Sequence, residues 1–126
     1  MVGKMLTEVT EQNFDEEVLN SNLPVFACFT TSWCSSCFPT CFVAVGLVNR
    51  YDGQIKFVRI DRGKVPEISD EYHITIVPSV ILFQDSQMIK RLLGYQEKVA
   101  LGDLLDALLA GVEAPINVLE EHVEGT

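Results

Sequence analysis

The chain has 126 residues, 48% of them hydrophobic, which suits one domain able to bury a core of its own. Eighteen acidic against nine basic residues give a formal charge of −9, a balance that repels phosphate backbones and anionic lipid headgroups and argues against nucleic-acid or membrane binding. The longest apolar run, Cys41 to Val48, is far short of a membrane span, and the opening "MVGKMLTEVTEQ" has no apolar signal core, so a cytoplasmic location is expected.

In chain order, Thr10 is placed to cap a helix through "EQNFDEEVLN", with acids near the positive end of its dipole and Phe14, Val18 and Leu19 on one face. "LPVFACF" reads as a buried strand. "CFVAVGLVNRY" follows as a helix in which Cys37, Cys41, Ala44 and Val48 share a stripe; it is apolar nearly all round and is therefore expected to lie in the core. "QIKFVRID" alternates as a strand, and "PEISDEYH" suits a short helix started by Pro66. Two β-type runs, "SVILF" and "MIKRLL", are joined by the turn-like "QDSQ". "EKVALGDLLDALLA" is an amphipathic helix offering Val99, Leu101, Leu104, Leu105, Leu108 and Leu109 to the core, with Gly111 as its C-terminal cap. Strands alternating with helices and a closing hairpin imply an α/β fold, a central mixed β-sheet with helices on both faces. Residues 1–111 read as the domain and 112–126 as an acidic C-terminal tail, which Pro115 can start as a short helix with Ile116, Leu119 and Val123 on one side.

All four cysteines lie in "FACFTTSWCSSCFPTCF", Phe26 to Phe42. In a compartment that keeps thiols reduced, such clustering points to catalysis or metal binding rather than a disulfide framework. A nucleophilic sulfur must be a thiolate, and the start of a helix offers free N–H groups and a partial positive charge to stabilise one. Cys34 stands where the strand gives way to the helix, and Cys37 follows one turn later, within reach to close a disulfide. Cys34 is therefore expected to attack and Cys37 to resolve, with Trp33 beside them as an apolar rim for substrate.

"SWCSSC" between a buried strand and a helix, with the later "IVPSVILF", the central "FVRID" and the pair Gly94–Tyr95, resembles the thioredoxin family over roughly Leu6 to Ala110. The resemblance implies the thioredoxin fold and a thiol–disulfide oxidoreductase that reduces protein disulfides and is recharged by a thioredoxin reductase. It also implies a cis peptide before Pro78, which faces the dithiol and keeps metal from being captured between the thiols. Val77 would offer its backbone to an extended substrate, and Leu93, Gly94 and Tyr95 would complete the groove with Trp33, Ser35 and Ser36. A monomer with no cofactor and no bound metal is expected.

Several positions depart from the family pattern. Ser35 and Ser36 stand where Gly-Pro is usual, which alters the redox poise. The buried acid of the preceding strand is Cys28 here, and its lysine partner is Phe57, so both proton-handling charges are absent together and the two residues are expected to form an apolar floor. The kinking proline of the family falls at Phe42, whereas this chain has Pro39, in what would be the second turn of a helix begun at Cys34 or Ser35. Cys41 lies one turn beyond Cys37 on the stripe facing Cys28; Cys28, Cys41 and Phe57 are thus candidate modulators, with buried thiols favoured over a second redox pair. Two other classes stay open: a metal or iron–sulfur protein using all four cysteines, and a protein-binding module with weak redox activity. His73 and His122 have no spaced partners and read as surface residues.

Overall fold

The computed structural model describes residues 6–31, 37–111 and 120–121, of which 37–42 and 120–121 are described in backbone only. The described strands form one sheet: β1 (Thr7–Val9), β2 (Val25–Thr30), β3 (Lys56–Asp61), β4 (Ser79–Gln84), β5 (Gln87–Leu93) and β6 (Glu120–Glu121), in the spatial order β1-β3-β2-β4-β5-β6. β1 and β2 both run parallel to β3, while β4, β5 and β6 add antiparallel pairings. The helices are α1 (Cys37–Val48), α2 (Pro66–Glu71) and α3 (Lys98–Ala110). This is the expected mixed α/β sheet of the thioredoxin fold.

β2 sets the architecture because every one of its side chains is buried. The two-residue period sends Phe26 and Cys28 to one face and Val25, Ala27 and Phe29 to the other. The first face packs with Phe57, Val80, Leu82 and Leu92 against Ala44, Leu47 and Val48 of α1 and Leu101, Leu104 and Leu105 of α3. The second packs with Val58, Ile60, Ile81 and Phe83 against Phe14, Val18, Ile68 and Ile74. Each large apolar side chain so enclosed contributes about 2 kcal/mol by leaving water. A continuous apolar strand covered on both sides is what a central strand requires.

The structure departs from the sequence expectations in several places. β1 was not anticipated: it is three residues long and only Val9 is buried. The first helix is shorter than expected, a π-helical turn over Asp15–Leu19 in which Asn20 N–H donates to Asp15 O at 2.8 Å. Thr10 acts ahead of it, closing a turn in which Thr10 N–H donates to Asn13 Oδ1 at 2.7 Å and Asn13 N–H to the Thr10 hydroxyl at 3.3 Å. α1 is not core all round. Val43 and Val45 are half-buried and Gly46 is exposed, with the Lys98 ammonium 3.4 Å from the place a β-carbon would take. On α3, Val99 is 74% and Leu109 40% exposed, and Gly102 and Ala107 are buried in their place. Gly102 faces the turn that follows α1: a β-carbon there would stand 3.0 Å from Arg50 Nη1, and its carbonyl lies 3.1 Å from the Tyr51 hydroxyl.

Other expectations hold. Gly111 caps α3 in the left-handed conformation with φ 73. The β4–β5 hairpin turns through Asp85 and Ser86, both at positive φ, as a two-residue loop between twisted strands demands. In the tail, Glu120 and Glu121 are extended, pairing with Leu92 and Arg91 of β5, where a helix had been expected. The backbone of an otherwise open edge strand supplies the partners for that pairing.

Candidate active site

Three chain segments meet at one end of the sheet. β2 ends at Thr30, which is buried, and the cysteine motif follows at once in sequence. β4 begins at Ser79 beside Phe29 of β2, directly after a cis peptide between Val77 and Pro78. β5 ends at Leu93, opposite Ser79, and Gly94 N–H donates to the Pro78 carbonyl at 2.8 Å. Gly94 has φ 77, a left-handed conformation that glycine adopts without strain, and it turns the chain from β5 back over Pro78. Val77, Pro78, Leu93, Gly94 and Tyr95, named from the sequence as a groove, are thus neighbours beyond the carboxyl ends of the parallel strands, where open α/β sheets hold ligands.

Pro78 is buried, Val77 and Leu93 are half-buried, and Tyr95 is 46% exposed. Ile76, which sequence reasoning did not single out, is 47% exposed on the approach to Pro78. Two further polar groups stiffen this corner. The Ser79 hydroxyl donates to the Ile76 carbonyl, and the Gln96 amide, only 4% exposed, donates to the Leu93 carbonyl at 3.1 Å. Ser79 was visible in the sequence as part of "VPS"; Gln96 carried no signal, because a glutamine bonded to a carbonyl looks like any other glutamine.

Trp33, Cys34, Ser35 and Ser36 lie outside the described residues. Cys37 is the first residue of α1, whose backbone continues from there to Val48. Pro39 lies within α1, and the expectation for a helix begun at Cys34 or Ser35 falls outside the described residues. On the inner stripe Ala44 and Val48 are buried; the side chains of Cys37 and Cys41 are outside the description.

On β2, Cys28 is fully buried and stands in register between Arg59 of β3 and Val80 of β4. It shares its cluster with Phe57, whose ring is 5.0 Å from that of Phe26. Both positions are enclosed by hydrocarbon and aromatic groups, an apolar floor in which an isolated charge would be costly.

A family description, Thioredoxin, matches residues 5–107 of the chain. Among similar curated proteins, thioredoxin 1 of Synechococcus elongatus is 31% identical over 98 residues, spanning 78% of this chain and 92% of that protein. A thioredoxin of Pyropia yezoensis is 30% identical over 105 residues, spanning 83% and 98%. The bifunctional thioredoxin reductase/thioredoxin of Mycobacterium leprae is 34% identical over 102 residues, spanning 80% of this chain and 22% of that longer protein.

Proposed function

The chain belongs to the thioredoxin family and is a thiol–disulfide oxidoreductase, and we propose that it reduces protein disulfides through Cys34 and Cys37. The observation that carries this reading is the meeting of Pro78 and Gly94, whose N–H donates to the Pro78 carbonyl at 2.8 Å, beside the end of the strand that leads into the motif.

The Cys34 thiolate attacks one sulfur of a substrate disulfide, breaking the S–S bond and releasing the other substrate sulfur as a thiolate, which takes a proton. Cys37, deprotonated, attacks the Cys34 sulfur. The Cys34–Cys37 disulfide forms, the second substrate thiol leaves, and two electrons have passed to the substrate. Val77 presents backbone to an extended substrate; Trp33, Ser35, Ser36, Leu93, Gly94 and Tyr95 line the groove around it. With Cys28 and Phe57 in the apolar core, no fixed acid at those two positions takes the proton of Cys37, which passes to water or to the departing sulfur. Enclosure of Cys28 in the core supports a two-sulfur site over a four-sulfur metal cluster.

A thioredoxin reductase returns the electrons, a partner suggested by the relative that carries both names in one chain. The protein works as a cytoplasmic monomer; among the described residues no helix is long and apolar enough to cross a membrane. Insulin reduction tests the assignment. Cys34→Ser abolishes activity and Cys37→Ser accumulates mixed disulfides, whereas a Cys34→Ser protein working at the wild-type rate would remove it.

A further inference from the structure

The segment that enters the cis peptide leaves α2 through a tight C-terminal turn. His73 N–H donates to Asp70 O at 3.1 Å and Ile74 N–H to Ser69 O at 2.9 Å, with His73 left-handed at φ 55. The turn leaves three successive carbonyls pointing away from the helix, and each accepts from an arginine. Arg91 of β5, buried at 7% exposure, donates from Nη2 to Tyr72 O at 2.6 Å and from Nη1 to His73 O at 3.2 Å. Arg62, just past β3, donates from Nε to Ile74 O at 2.7 Å.

Arg62 makes a second bond at the other end of the site. Its backbone N–H donates to the carbonyl of Thr30, the last residue of β2, at 2.7 Å. One residue therefore ties the strand that delivers the cysteine motif to the segment that delivers Pro78. We propose that Arg62 is a positioning residue for substrate, holding Ile74 to Pro78 at a fixed distance from the end of β2 so that the Val77 backbone can receive an extended chain. This rests on the dithiol reading above. The guanidinium suits the task because its planar N–H groups are rigid and permanently charged, so the bond to a carbonyl is directional at every working pH. Arg91 completes the clamp, but it lies in the core, and its removal would disturb folding as well as the site. Arg62 is exposed, so its side chain can be changed alone, and its backbone bond to Thr30 survives substitution.

The test compares two disulfides on the full chain: insulin, which needs the backbone groove, and 5,5′-dithiobis(2-nitrobenzoate), which is too small to use it. Arg62→Ala is expected to raise KM for insulin about fivefold, the loss of part of one charge-assisted hydrogen bond, with kcat held. The rate on the small disulfide should stay at the wild-type value. Arg62→Lys, which can still reach the carbonyl with a less directional donor, should recover part of the insulin KM. Unchanged insulin KM, a loss confined to kcat, or equal losses on both disulfides would overturn the proposal. Wild-type protein inert toward both would overturn the dithiol reading, and this proposal with it.

Discussion

On the face of the sheet covered by α1 and α3, the core around Cys28 and Phe57 is hydrocarbon and aromatic, and Tyr51 reaches to its rim to meet Asp106. On the face covered by α2 and the π-helical turn, a guanidinium lies inside the fold, with Arg91 against the carbonyls of Tyr72 and His73. The difference shows where this chain tolerates charge. A buried ion is stabilised where it meets fixed backbone, as Arg91 does at the end of α2, because carbonyl groups there are already aligned and cannot relax away. Around Cys28 and Phe57 the described cluster is hydrocarbon and aromatic, and an acid and a base placed there would depend chiefly on each other. Losing both at once leaves a well-packed apolar floor, often as stable as the ion pair it replaces.

The sharpest way to break this contrast is to put charge back on the apolar side. Cys28→Asp is expected to cost about 3 kcal/mol at neutral pH, because an unpaired carboxyl must be desolvated or stay protonated. Burial raises the carboxyl pKa, so the pH-dependent part of the penalty is absent below about pH 4, grows as pH rises above it and is complete once pH passes the folded value. The same variant should release a mixed disulfide faster in single turnover. Unchanged release would show that Cys28 has no bearing on proton transfer. Adding Phe57→Lys should recover part of the lost stability by pairing the charge.

The complementary experiment removes charge from the other face. Arg91→Met keeps the stem and most of the volume but leaves the Tyr72 and His73 carbonyls without these donors, and about 2 kcal/mol of stability should be lost. A chemical denaturation midpoint equal to wild type would mean that the buried cation contributes nothing. A smaller effect of opposite sign is expected next door. His73 holds a left-handed conformation that a β-carbon disfavours, so His73→Gly should stabilise by about 1 kcal/mol, read as a raised Tm.

These residues also mark what a sequence can and cannot show. The strands β2 to β5, the hairpin turn and the cap at Gly111 were legible because each is driven by local periodicity or by a backbone demand that few residues meet. The meeting of Pro78 with Gly94 was legible through a motif, since both residues stand out against any background. β1 was not, since one buried valine in three residues gives no period, and its pairing with β3 is a tertiary event. β6 was missed for the same reason. Val99 and Leu109 belonged to a helical pattern whose width exceeds the face that packs, and only the position of α1 decides which leucines are covered. The arginine clamp left no trace at all, because its acceptors are backbone carbonyls, which every residue has. His73 read as an ordinary surface histidine, and its positive φ emerges only when the turn closes on Ser69 and Asp70.

The smallest expected effect tests whether polar contacts on the α1–α3 face are confined to its rim. The Tyr51 hydroxyl donates to Asp106 Oδ1 at 2.7 Å, and Asp106 is also bridged to Arg50 at 2.9 Å with both side chains about half exposed. Water can replace such partners, so Tyr51→Phe should cost about 1 kcal/mol or less near neutral pH, well below the cost of Arg91→Met. The ring stays, and with it the contact to Phe57 and the Arg50 guanidinium 5.1 Å above it. Burial first, then the bond to Asp106, push the Tyr51 pKa from 10.0 up to about 12. The folded protein thus holds this proton more tightly than the unfolded chain, so the stabilisation is complete below pH 10 and is lost as pH rises from 10 to about 12. Unfolding midpoints followed across that window should show wild type falling more steeply than Tyr51→Phe, since other groups titrate alike in both. If the two proteins fall in parallel, the hydroxyl is not held. If Tyr51→Phe instead costs as much as Arg91→Met at neutral pH, the apolar face depends on an internal polar contact after all, and the contrast between the two faces fails.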